Sequence, residues 1–559
     1  MMKEIEAIKK IPIQSSDRTS PYIQDESHLD SGSAEAVYLP ACEDEIRLLL
    51  SRFHRTGTPV TISGSRTGVV GGAVPQGGVI ISTERMNRVL GMRRQGTDWL
   101  IKVEPGVILK DLQRQIESKS FENAMPLSAH TTSETAQKAS KGASYEISGY
   151  QDFLSDKGQY FYPPDPTEGT ATLGGTVAAN SSGARSLMYG PTRGYVQGLR
   201  VALAGGDILD IPRGRYTADD SKELRVQTEQ GNTFRIPVPA YRMPQVKNAA
   251  GYYARPDMDL IDLFIGAEGT LGVITCMELR LIPKPQNILS GVAFFEDSGK
   301  ALECAQKIMI LRRFSESMLR PMALEYFDGH SLELLRRKRQ ADGTGSVIPE
   351  FPSYAKGALF FEQFYEDDEN LEKIYEDWQE VLEAYGVRMD DTWGGIDERE
   401  LEKMKNFRHA LPDILNEIFR ERKRHYPNIH KISADIAVPD SALEELVFFY
   451  QAEIEQKGLE YVLFGHIGES HLHLNILPRT DKEMVLAKNL SREFAKKAAS
   501  LGGTISAEHG IGKMKHQFLE ILYGPDGIRE MVRIKLLLDP KGIINRGNIF
   551  PEGYLSSPE

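Results

Sequence analysis

The chain has 559 residues, 40% of them apolar and 26% charged, with a formal net charge of −12 at pH 7. Such a length exceeds one hydrophobic core and calls for two or three domains of ordinary globular composition. The acidic balance argues against generic nucleic-acid binding. Three dispersed cysteines, Cys42, Cys276 and Cys304, argue against a disulfide scaffold, a cysteine zinc site or an iron–sulfur cluster within the chain.

The N-terminus, MMKEIEAIKKIPIQSSD, carries charges throughout and has no apolar signal core, and no apolar run reaches the ~18–20 residues of a membrane-spanning helix. A cytoplasmic location is expected, compatible with peripheral attachment to a membrane. Residues 1–33 read as a polar lead-in of short helix and loop. From Ala36, AVYLPA is strand-like, CEDEIRLLLSRFHRTG has helical spacing closed by a glycine, and PVTIS is a second strand. This β–α–β order indicates an α/β or α+β first domain.

The second strand runs into Gly64-Ser65-Arg66-Thr67-Gly68-Val69-Val70-Gly71-Gly72. Glycines at this density let backbone approach a ligand, and consecutive N–H groups can cradle phosphate oxygens. The segment is neither G-x-G-x-x-G nor G-x-x-x-x-G-K-[ST], so it supports neither a Rossmann nor a P-loop reading. LIKVEPGVILKDLQRQI follows as strand and helix, and the polar stretch 127–160 reads as a surface excursion without chemistry. Tyr162-Pro163-Pro164-Asp165-Pro166-Thr167 precludes regular helix, and Thr172 to Gly183 brackets a short helix of small residues suited to close packing on a planar ligand. Glycine-punctuated turns then feed the strands LRVALAGG and TCMELRLIP. Beyond Pro283, strands alternate with longer amphipathic helices such as NLEKIYEDWQEVLEAYG.

Three of the twelve histidines crowd into Gly465-His466-Ile467-Gly468-Glu469-Ser470-His471-Leu472-His473-Leu474-Asn475. The stretch lies between two β-like runs, so Gly465 and Gly468 are expected to make the bend, with His471, His473 and Asn475 on one strand face. Ala507-Glu508-His509-Gly510 follows later in the chain. Two imidazoles and a carboxylate with an open fourth position is a common catalytic zinc arrangement, while any single histidine here reads as well as a hydrogen-bonded strand residue.

The set GSRTG, PPDPT, TLGGTVAANSSGARSLMYG, KNAAGY and FIGAEGTLGVIT resembles the flavin-binding domain of the vanillyl-alcohol-oxidase/p-cresol-methylhydroxylase superfamily. Within it, the chain is most similar to the FAD-linked D-2-hydroxyacid dehydrogenases of the D-lactate dehydrogenase, glycolate oxidase and D-2-hydroxyglutarate dehydrogenase type. The resemblance runs from about Ala36 to Phe550 and implies an α+β fold. It divides the chain into a lead-in (1–33), a two-part FAD domain (34–285), an α/β cap (286–500) and a C-terminal segment returning to the flavin (501–559). It implies a pyrophosphate site at Ser63, Gly64, Ser65, Arg66, Thr67, Gly68, Gly71 and Gly72. Pro164, Asp165, Thr172, Gly174, Gly175, Asn180, Ser182 and Gly183 would line the ribityl chain and isoalloxazine. Glu268, Gly269 and Ile274 would meet the adenosine side, and Asn545 would return to the flavin. No histidine lies between His54 and His130, so FAD is expected to be non-covalent.

By the same carry-over, His466, His473 and Glu508 would hold a divalent metal, zinc first, and His509 would be the base. Arg408 would bind the substrate carboxylate and Asn475 would touch substrate. The chain departs from the pattern twice. Glu469, Ser470 and His471 replace Asp-Gly-Asn, leaving His471 as an extra imidazole that is either a fourth ligand or a partner of the ligands. Ser433 stands where the family's Lys-x-Asp-x-x-x-Pro carries lysine, and Lys431, two residues before it on the same face of a regular strand, either takes over that catalytic role or the pocket differs. The insertion 211–243 has no readable task.

The activity implied is oxidation of a small D-2-hydroxy acid to the 2-oxo acid, electrons leaving to a quinone, a cytochrome, an electron-transfer flavoprotein or an iron–sulfur partner subunit, with a homodimer compatible. Two other readings stand beside it: a flavin-binding, electron-relaying subunit without turnover, and a zinc hydrolase, which would have no use for the FAD loops.

Overall fold

The computed structural model describes residues 6–556 except 16–18, 28, 122–147 and 315. The β–α–β reading holds. Strands Ala36–Tyr38 and Val60–Ser63 both pair in parallel with Val79–Ser82, and helix Glu43–Thr56 crosses between them, ending on Gly57 at φ 70°. The lead-in does more than the polar reading suggests. Ile13–Ser15 adds an antiparallel edge strand to this sheet, anchored by buried Ile8 and Ile11.

A second, antiparallel sheet carries the other half of the domain, in the order Val89–Gln95, Asp98–Val103, Val273–Pro283, Val196–Ala202 and Ile208–Pro212. The insertion 211–243 folds into a hairpin, Glu223–Gln227 with Thr233–Pro237. Of the excursion 127–160, residues 127–147 lie outside the described residues. The remainder is not superficial: helix Ser148–Ser155 buries Phe153 against Trp99, with ring centroids 5.2 Å apart. One aromatic anchor outweighs the polar composition around it.

The cap is built on one seven-stranded antiparallel sheet, ordered Trp393–Gly395, Asn287–Phe295, Gly357–Tyr365, Ala323–Phe327, Tyr461–Gly465, His471–Ile476 and Ile432–Ala437. Helices Ser298–Phe314, Asp368–Ala384, Leu443–Gln456 and Asp481–Ser500 share one apolar core with it. Helices Gly329–Asp342 and Glu398–Arg422 share another. After the cap, Thr504–Ala507 bonds to the cap's edge strand through Thr504 N–H to Ala437 O (2.8 Å) and Ala507 N–H to Asp435 O (2.8 Å). It also accepts from the FAD domain, Ala249 N–H to Ser506 O (2.9 Å). Helix His516–Leu538, broken at Gly524–Pro525, then packs into the FAD-domain core, and Ile544 bridges to Val60. The Glu508–His509 segment is therefore clamped between the two domains. Among the described residues no helix is long and apolar enough to cross a membrane.

Candidate active site

A cavity of about 410 Å³ opens between the two FAD-domain sheets and reaches the cap. Gly64, Ser65, Arg66, Thr67, Gly68 and Gly72 line it, as do Thr172, Gly174, Gly175, Ser182, Gly183, Glu268, Gly269, Ile274 and Asn545, with His466, Glu508 and His509 at its cap end. A second hollow shares Gly64, Ser65, Arg66 and Thr172 and extends it towards Asn87 and Arg114. Ser63, Gly71, Pro164, Asp165 and Asn180 stand behind this lining rather than in it. Asn180 caps helix Leu173–Ala179 at φ 50° and accepts from Arg193 N–H (3.0 Å). Asp165 is pushed up to about 6 by burial, against the pull of Arg185 and Arg408. Pro105 and Asn548 line the cavity without having been signalled by any motif.

The backbone N–H groups from Ser65 to Gly72 donate to no acceptor among the described residues. Most of this loop lines the cavity, and consecutive backbone amides without protein partners are the chemistry of an anion nest, which suits a pyrophosphate. The loop also needs its glycines. A Cβ on Gly64 would lie 2.2 Å from Thr172 Oγ1, and one on Gly183 2.1 Å from Asp165 O.

At the cap end, strands Tyr461–Gly465 and His471–Ile476 form the expected hairpin, but the bend is made differently. Its left-handed residues are Gly465 (φ 123°) and Ser470 (φ 50°), whereas Gly468 sits in a 3₁₀ turn against Leu187 and Leu324. The period of two then puts His471, His473 and Asn475 on one face, opposite Ala437, Asp435 and Ser433 of the edge strand.

His466, His471, His473 and Glu508 each place one ligand atom within 4.8 Å of the others. Glu508 Oε1 lies 3.3 Å from His473 Nε2 and 3.7 Å from His466 Nε2. Its Oε2 accepts from Lys247 Nζ (2.9 Å) and Ser182 Oγ (3.2 Å). Lys247 also reaches Glu469 (3.1 Å). Although burial opposes ionisation, Lys247 and His466 hold Glu508 well below the usual carboxylate range. Burial and Lys247 oppose a charged His466, yet the Glu508 and Glu325 carboxylates push it up to about 9. Burial lowers His473 and takes His471 down to about 3, so both imidazoles are neutral at pH 7, the form that ligates metal. Three imidazoles and a carboxylate meeting in a buried cluster fit a divalent ion.

Asp435 organises the other side. Oδ1 lies 3.0 Å from His471 Nε2, while Oδ2 lies 3.3 Å from His509 Nδ1 and accepts from His509 N–H (2.9 Å), Lys515 Nζ (3.0 Å) and Ser506 Oγ (2.7 Å). Burial would raise it, but His509 and Lys515 hold it well below the ordinary aspartate value. A carboxylate on Nδ1 keeps the proton there and leaves His509 Nε2, in the cavity lining, free to accept one.

Arg408 gives Nη2 to Glu325 (2.8 Å), whose same oxygen lies 3.1 Å from His466 Nδ1. Its Nε has no partner among the described residues. Asn475 Oδ1 accepts from Ser433 Oγ. Lys431 precedes the edge strand with its pKa lowered by burial, outside the cavity lining. Asp435 and Lys247 stand in motifs that gave them no role and Glu325 in none; only strand register and domain docking bring the three to the histidines.

A glycine-rich amide loop leading along a cavity to a buried cluster of potential metal ligands defines a cofactor-binding site in an α+β protein. The family model for FAD binding domains matches residues 34–134 and 133–212, and that for the C-terminal domain of FAD-linked oxidases matches residues 284–549. The chain belongs to this family of FAD-linked enzymes, in its 2-hydroxyacid dehydrogenase/oxidase group, on a p-cresol-methylhydroxylase-type fold. Glycolate oxidase subunit GlcD of Bacillus subtilis is 28% identical over 92% of this chain and 89% of its own. D-lactate dehydrogenase of Anaerostipes hadrus is 28% identical over 90% and 87%, and mitochondrial D-2-hydroxyglutarate dehydrogenase of Bos taurus 28% over 93% and 77%. In overall fold the chain is similar to alkyldihydroxyacetonephosphate synthase, with a TM-score of 0.59 at 14% identity, covering 98% of this chain and 84% of that one.

Proposed function

We propose that this enzyme oxidises a small D-2-hydroxy acid of the lactate, glycolate or 2-hydroxyglutarate class to the 2-oxo acid, using non-covalent FAD and a divalent metal. The observation that carries the reading is the clustering of His473 with His466 and Glu508, which line the end of the cavity together with His509. Bound FAD supplies the two-electron acceptor that no side chain can replace. A divalent ion held by His466, His473 and Glu508, zinc by the family's habit, supplies Lewis acidity that lowers the pKa of a hydroxyl.

The protein's own groups do the rest. The amides of loop 63–72 hold the pyrophosphate, and the glycines of 174–183 let the backbone close on the ring system. His509 Nε2 takes the hydroxyl proton while Asp435 steadies Nδ1. Arg408 is the cation assigned to the substrate carboxylate, Lys431 the stand-in for the family's lysine, and Asn475 a polar substrate contact. Arg408 has Nη1 at 3.0 Å from His409 and Nη2 on Glu325, which leaves its buried Nε, unpartnered among the described residues, to donate. Electrons would leave the enzyme to a quinone, cytochrome, electron-transfer flavoprotein or iron–sulfur subunit.

The test is flavin reduction in a single anaerobic turnover. His509→Ala should slow bleaching by about 10²–10⁴-fold with flavin content unchanged. Equal rates in His509→Ala and wild type would remove the base assignment. Equal rates in His473→Ala as well would favour an electron-relay subunit.

A further inference from the structure

The structure assigns His471 as a fourth protein ligand, giving this chain a metal site of three imidazoles and one carboxylate that suits a five- or six-coordinate ion rather than tetrahedral zinc. The inference rests on the metal reading above and goes beyond it in ligand number and ion type. His471 is fully buried, and its two ring nitrogens have different surroundings. Nε2 faces Asp435 Oδ1 at 3.0 Å, whereas Nδ1 is buried and has no hydrogen-bond partner among the described residues. A carboxylate on one nitrogen fixes the tautomer and turns the lone pair of the other outward, the arrangement by which proteins orient a ligating imidazole. His471 belongs to the cluster in which one ligand atom from each of His466, His471, His473 and Glu508 lies within 4.8 Å of the rest, and Nδ1 is its nitrogen not engaged by Asp435.

Local structure explains why the residue is placed so. Ser470, at φ 50° and bonded through Oγ to Asp440 Oδ1 (2.5 Å), turns the chain sharply into the strand. His471 therefore begins the strand on the same face as His473, their ring centroids 4.5 Å apart. The resembling family carries asparagine here, which cannot supply an imidazole donor. Four protein donors would close a tetrahedral ion completely. An ion that accepts five ligands keeps one position open for a substrate oxygen, and one that accepts six keeps two, enough for the hydroxyl and carboxylate oxygens of one 2-hydroxy acid. Mn(II), Fe(II) and Co(II) are of this kind.

The test uses the full-length, FAD-bound protein, stripped with chelator and reloaded with Co(II). X-ray absorption at the cobalt edge counts imidazoles directly, and competition with a chromophoric chelator gives affinity. Wild type should show three imidazoles and a coordination number of five or six. His471→Asn should show two imidazoles and bind Co(II) more weakly by at least the ~10–100-fold that losing a ligand's supporting partner costs. Two imidazoles in the wild-type spectrum would overturn the assignment while leaving the metal reading intact. So would a four-coordinate wild-type site, and neither result depends on the variant folding. Wild type that holds no more Co(II) than His473→Ala would instead remove the metal reading itself.

Discussion

Asp435 stands between the two halves of the reacting centre, one oxygen on His471 and the other on His509, Lys515 and Ser506. Its pKa is depressed in the folded protein, so its contribution to stability is present above the ordinary aspartate value of ~3.9 and fades as pH falls below it. Asp435→Asn should therefore cost about 3–5 kcal/mol at pH 7 in denaturant unfolding, by stranding Lys515, and should flatten the acid limb of the stability profile. A variant as stable as wild type at pH 7 would contradict this. Gly183 makes a different demand, for space. Its missing Cβ would strike the carbonyl of Asp165, so Gly183→Ala should lower both flavin occupancy and Tm, read from the protein's visible absorbance and thermal unfolding. At this scale the histidines, Glu508 and the glycine loops were legible because each is a local pattern. Asp435 was visible only as part of a family motif, and its service to two histidines follows from register, Asp435 opposite His473, which no linear spacing states.

Among elements, the segment from Thr504 to Lys513 is the one most shared. It bonds to the cap strand, to Ala249 and to Glu268, whose carboxylate accepts Ile511 N–H (2.7 Å) and Gly512 N–H (2.8 Å). The resemblance sends Glu268 to the adenosine side. It does line the cavity, but its oxygens are spent on this clamp. Glu268→Ala should leave two buried amides unpaired, lower stability by about 1–3 kcal/mol per unpaired group, and reduce kcat more than FAD affinity because His509 loses its seat. Loss of FAD alone with kcat intact would say that Glu268 serves the cofactor directly. Strands and helices of the first sheet and cap follow their periodicity. The elements that escaped sequence reading, the Ile13–Ser15 edge strand and the helix ending at Ser155, are short and carried by one or two buried side chains.

Across the whole molecule, two domains with separate cores meet over the cavity. They are joined there by Arg185 Nε to Glu362 (2.7 Å), by the Lys247–Glu508 pair and by the shared segment. The order of FAD loops, cap and Glu-His segment is readable along the chain. The docking that brings Lys247 of one domain to Glu469 of the other is not, because it depends on surfaces made by residues hundreds of positions apart. The same docking makes the central claim testable in one experiment: anaerobic flavin bleaching by a panel of D- and L-2-hydroxy acids, with and without chelator. Rapid bleaching by one or more D-acids, little by their L-enantiomers, and loss of the reaction after chelation with recovery on adding metal back is the predicted result. Bleaching indifferent to chelator, or no bleaching by any acid of the panel, would contradict it.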